Sequence, residues 1–103
     1  MILWNPMKKL HNVHGKLSVT FLREGRRFIA YAPALDLSTS GKSFEETKKR
    51  FEEITSIFFE EIIKQGTAEE VLENLGWEKH EKMWVPPLVI GHESHTIRAP
   101  AFA

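Results

Sequence analysis

The 103-residue sequence predicts an α+β domain: a small antiparallel sheet, then one long helix, a short second helix and a final strand. Three observations carry this. Residues 43–66 combine helix start and stop signals with an apolar repeat of helical period, and residues 16–32 hold two alternating runs separated by a glycine. Three of the five prolines (Pro86, Pro87 and Pro100) fall after residue 76, at a density that excludes a long helix there.

In the long helix, Ser43 caps the first turn and Glu46, three residues on, reaches back to the Ser43 amide, the reciprocal arrangement of a capping box. Glu45 and Glu46 sit at the positive end of the helix dipole, Lys64 sits near its negative end, and Gly66 closes the helix. Phe44, Phe51, Ile54, Phe58 and Ile62 recur at helical spacing. Glu45/Lys49, Glu46/Arg50, Lys48/Glu52 and Glu60/Lys64 place opposite charges four residues apart. Ile57, Phe59 and Ile63 fall off this stripe and spread apolar surface over more than half the circumference. One sheet cannot cover that much. The patch predicts either a two-fold contact in a homodimer or pair of dimers, or coverage by the chain's own Trp77, Trp84, Leu88 and Ile90.

Residues 1–15 show no sustained period and read as an irregular lead-in. From 16 to 23, Leu17, Val19 and Phe21 alternate with Lys16, Ser18 and Thr20. A turn at Glu24-Gly25 leads to a second alternating run, 27–32, so the two form a hairpin. Pro33-Ala34 interrupts, and 35–40 gives a third short strand. The expected core is Val19, Phe21, Phe28, Phe51, Ile54, Phe58 and Ile62. After Gly66, Thr67 and Glu70 repeat the capping-box spacing, and Ala68, Val71, Leu72 and Leu75 form the apolar face of a short helix closed by Gly76. Trp77 and Trp84 bracket a charged loop, with short strands around 83–85 and 94–98. The domain therefore spans 16–85, followed by a proline-containing tail at 86–103 with no separate DNA-binding unit.

Composition narrows the function. Apolar residues make up 42% and charged residues 27%, ordinary for a folded protein of one core. Absence of cysteine removes disulfides, thiolate metal sites and a cysteine nucleophile, and fits a reducing compartment. No stretch approaches the ~20 apolar residues of a membrane span, and the N-terminal apolar run is too short for a signal peptide. A cytoplasmic protein without membrane contact is expected. Net charge is zero, against a dedicated nucleic-acid binder, yet it is unevenly spread. Residues 1–40 carry six Lys/Arg and two Asp/Glu (+4), residues 41–76 five and nine (−4), and residues 77–103 three of each. Helices rich in Glu account for this, and so would an acidic face for a basic partner.

Candidate chemistry is sparse. The pairs His11/His14 and His92/His95 have ligand-like spacing, but neither segment reads as helical and no carboxylate-rich motif accompanies them, so they read as solvated histidines. The six glycines are dispersed as turn and cap residues rather than gathered in a phosphate-binding loop. Asp36 is the sole aspartate, whereas two-metal nuclease chemistry needs several converging carboxylates. Neither catalysis nor a cofactor is expected.

Residues 28–47, FIAYAPALDLSTSGKSFEET, resemble the HicB-type antitoxin family, in which a strand ending in Pro-x-Leu precedes a short strand, a Gly, a Ser or Thr, and a Glu-Glu-Ala-like helix start. Pro33, Leu35, Gly41, Ser43, Glu45 and Glu46 occupy those places, and the likeness extends over 16–76. The resemblance implies a partial ribonuclease-H-like β-β-β-α-β fold and a non-catalytic module that neutralises a HicA-type toxin, a small basic protein that cleaves messenger RNA. Two places depart from the pattern: Asp36-Leu37-Ser38 stands for Pro-Gly-Cys, and Thr47 for Ala. The tail is too short and proline-broken for the operator-binding unit of many family members, so sequence-specific DNA binding is not expected. The alternatives are a stand-alone HicB-like domain serving as a ligand or nucleic-acid accessory protein and, third, a degenerate nuclease.

Overall fold

The computed structural model describes residues 16–101, so the 1–15 lead-in and the His11/His14 pair lie outside the described residues. Strands β1 (Thr20–Glu24), β2 (Arg27–Ala32) and β3 (Leu37–Gly41) form an antiparallel sheet in that order, and helix α1 (Phe44–Lys64) packs against β2 and β3. Helix α2 (Ala68–Asn74) follows. β4 (Glu78–His80) and β5 (Met83–Val85) then pair with each other as a separate two-stranded sheet. The chain is α+β as expected, but the C-terminal strand does not join the first sheet. The charged stretch after Trp77 is itself a strand and supplies β5 with its partner. The expected strand at 94–98 is absent: 86–101 has no regular structure.

Strand limits follow from register. Thr20 lies opposite Tyr31, so Val19 would face Ala32 and residues 16–18 would face the turn beyond it. β1 therefore starts at 20 rather than 16, and the turn is Gly25-Arg26 rather than Glu24-Gly25. Leu17 and Val19 still pack on the core. The third strand starts at 37 rather than 35 because residues 33–36 fold into a tight turn, with the Leu35 amide donating to the Ala32 carbonyl and the Asp36 amide to that of Pro33.

Both helices end alike. In α1 the Gly66 amide donates to the Ile63 carbonyl and the Thr67 amide to that of Ile62; in α2 Gly76 donates to Glu73 and Trp77 to Leu72. Each is a Schellman closure, and each places its glycine in the left-handed region, at φ +72° and +90°. The helix starts differ from expectation. Ser43 Oγ does accept from the Glu46 amide, but the Glu46 carboxylate accepts from the Lys42 amide, one residue earlier than a reciprocal box requires. Thr67 makes no capping bond at all; its hydroxyl points back to the Ile62 carbonyl.

The core holds Ala30, Ala32, Leu35, Phe51, Ile62, Ile63, Leu72, Trp77 and Trp84, with Val19, Ile54 and Phe58 half-buried beside it. Phe21 is a correction. It shares the helix-facing side of the sheet with Ala30 and packs on Phe44, the first residue of α1, ring centroids 4.7 Å apart. Both rings stay exposed.

Candidate functional site

The six residues of the 33–46 pattern do not gather in one place: Pro33 and Leu35 lie in the turn between β2 and β3, whereas Gly41, Ser43, Glu45 and Glu46 lie at the opposite end of β3, where α1 starts. Leu35 is buried in the core, while Pro33 lies exposed in the turn. Gly41 is buried because α1 passes directly over it: a β-carbon there would stand 2.6 Å from Thr47 Oγ1 and 3.0 Å from the Thr47 nitrogen. Ser43 caps the helix, Glu45 is exposed in its first turn, and Glu46 is tied to the Lys42 amide and, at 2.8 Å, to Arg50. The amide of Lys42 and the neighbouring cations hold the Glu46 carboxyl below the usual range. Gly41, Ser43 and Glu46 thus fix the start of α1 against the end of β3.

Other groups hold these two ends through bonds that the sequence reading did not assign to them. Thr47 is fully buried, its hydroxyl 2.7 Å from the Ser43 carbonyl and 3.2 Å from that of Phe28, so the threonine bridges helix and sheet where an alanine could not. Arg50 donates to the Ser40 carbonyl and Arg27 to the Ser40 hydroxyl. Trp77 Nε1 donates to the buried Ala34 carbonyl at 2.7 Å, pinning the turn from 43 residues away. Asp36 takes the left-handed conformation, φ +48°, that a glycine would supply, and its carboxylate accepts from the Tyr31 hydroxyl at 3.1 Å. That bond raises the Tyr31 pKa, because losing the phenolic proton would forfeit it and set two negative charges side by side.

The three off-stripe residues of α1 do not form one patch. At about 100° per residue, Ile57 lies about 160° from Phe59 and about 120° from Ile63. Ile63 is only 3% exposed, and Phe59 is half-buried with its ring edge-on to Phe58 and Trp77, at 5.4 and 6.3 Å. The chain thus covers that flank itself, through Trp77, and so corrects the expected two-fold contact through all three residues. Leu88 and Ile90 take no part in the cover, being almost fully exposed.

Ile57 remains 60% exposed. Glu53, Glu60 and Glu61, three or four residues away, surround it on the same face, and all three are exposed. Among the described residues none of these carboxylates forms an ion pair; of the four expected helix pairs only Glu46–Arg50 forms. The cations on the same line, Arg50 and Lys64, stand seven residues off, about 10 Å along the axis. The arrangement is an apolar knob flanked by three glutamates, with Lys49, Arg50 and Lys64 three or four residues from them but not in ion pairs with them among the described residues. It suits binding a cationic surface with an apolar recess.

Among the described residues no three His, Cys, Asp or Glu side chains gather as a metal site, and no helix is long and apolar enough to cross a membrane. His92 and His95 are exposed. Comparison with protein-family models, curated proteins and solved structures finds no match.

Proposed function

We propose that the chain is a non-catalytic protein-binding domain, an antitoxin of HicB type that occludes a small basic RNA-cleaving toxin of HicA type in the cytoplasm, through a partial ribonuclease-H-like core. The observation that carries the reading is Ile57 in its ring of Glu53, Glu60 and Glu61. Buried apolar anchors supply most of the affinity at protein interfaces, and surrounding charges set partner choice and association rate. A basic partner fits this face; a second copy does not, since two such rings would meet as like charges. The resemblance over 28–47 adds the class of partner. A homodimer or pair of dimers stays part of the proposal, with its contact elsewhere, because Phe59 and Ile63 are covered within the chain.

Affinity purification from the native cell, followed by assay of the retained protein on messenger RNA, tests the reading. A small basic protein that cleaves RNA alone and is silenced by this chain supports it. If no basic protein is retained, the stand-alone domain replaces it.

A further inference from the structure

Residues 86–101 leave the body of the domain as an arm. Pro86 and Pro87 lack amide protons, so β5 stops at Val85. The Pro87 ring lies 3.7 Å from where a β-carbon on Gly76 would stand, which seats the base of the arm against the turn after α2. Beyond it Leu88, Ile90 and Ile97 are 79%, 94% and 85% exposed. With Val89 and Thr96 they are strand-forming residues, yet they pair with nothing among the described residues. Three bare aliphatic side chains within ten residues mark a segment that binds.

The order β1-β2-β3 leaves two edges. The β3 edge is guarded, since Arg50 holds the Ser40 carbonyl and Arg27 the Ser40 hydroxyl. Along β1 no strand pairs on the outer side among the described residues, and Phe21 and Leu22 are exposed on its two faces. An added strand gains main-chain bonds along such an edge and places alternate side chains over those two residues. The charges permit it: the arm carries one Glu and one Arg, Glu93 and Arg98, and so approaches Arg23, Arg26 and Arg27 of the hairpin without a like-charge block.

We propose that the arm of one chain, residues 88–98, adds as a fourth strand to β1 of a second copy, with the reciprocal exchange closing a two-fold dimer. Apart from the half-buried Val89, residues 88–98 are exposed, and among the described residues the arm pairs with no strand of its own chain. The acceptor and the arm are carried by every copy, so one contact made twice satisfies both and leaves no open end. The proposal rests on the oligomeric part of the reading above and is independent of the basic partner, which binds another face.

Sedimentation and hydrogen exchange on the full chain, from low to high micromolar concentration, test it. The expected mass is twice the 11.9 kDa chain, with amide protection of 88–98 and 20–24 rising together with concentration. Ile90→Asp with Ile97→Asp should return one chain, with unchanged far-ultraviolet circular dichroism and both segments unprotected. A wild type that stays at one chain throughout overturns the proposal, as does a dimer that survives both substitutions. Retention of the basic partner is read separately, so failure of the exchange leaves the antitoxin reading standing.

Discussion

Phe59 and Ile63 lie on one flank of α1 and Ile57 on the other. The first flank is covered by Trp77, whose indole is fixed by the Ala34 carbonyl; on the second, the described residues leave Ile57 60% exposed, flanked by Glu53, Glu60 and Glu61. An apolar residue on a helix is thus defined by what charge surrounds it and what the chain can bring over it. Phe59 and Ile63, next to an aromatic-rich continuation, pack in or against the core, and Ile57, set among glutamates, stays exposed.

The sharpest way to break this comparison is to strip the cover. Trp77→Ala should cost about 3–5 kcal/mol in denaturant unfolding, since it removes a buried ring and leaves the Ala34 carbonyl without its donor. A loss under about 1 kcal/mol would mean that the Phe59 flank is not held by Trp77. Next, Gly41→Ala should cost about 1–3 kcal/mol, because the Thr47 nitrogen is backbone and cannot swing away from the new methyl. A neutral result would show that α1 slides on β3 at no cost. Ser43→Ala should lose about 1 kcal/mol through its capping bond. Ile57→Ala should stay within about 0.5 kcal/mol of wild type, the value of an uncovered surface position. A loss as large as that of Trp77 would erase the distinction between the flanks.

The pH dependence tests the start of α1. Glu46 has its folded pKa depressed, so its contribution is present above the unfolded value, about 4.3, and fades as pH falls through the lower folded value. Stability of wild type over Glu46→Gln should therefore shrink on acidification below about pH 4. A gap that is constant with pH would show that the carboxylate charge plays no part.

The long helix was legible because several local signals agreed: a capping serine, one apolar period and a closing glycine. The two ends of β3 were less so. Thr47 departs from the family pattern, but only the approach of Gly41 shows why a hydroxyl is held there. The turn before β3 looked to lack the glycine it needs, yet Asp36 takes the left-handed conformation with Tyr31 bonded to its carboxylate. Alternation assigned Phe21 to the right face of the sheet but carried no information on how far α1 extends over it. Ile57, Phe59 and Ile63 were grouped because all three leave the main stripe, although they leave it on opposite sides. The separate β4–β5 hairpin was missed because the run of charges after Trp77 hides a strand exposed throughout.

Ile57 is the centre of the proposed binding face, and capture of a basic partner at physiological salt tests that face most directly. Wild type and Ile57→Arg, matched for folded content by circular dichroism, would be compared for the amount of small basic protein each retains from the native cell. The expected result is a loss of retention of about tenfold or more for Ile57→Arg, since the substitution removes the anchor and sets a cation against the partner. Equal retention by the two would contradict the assignment of this face as the binding surface.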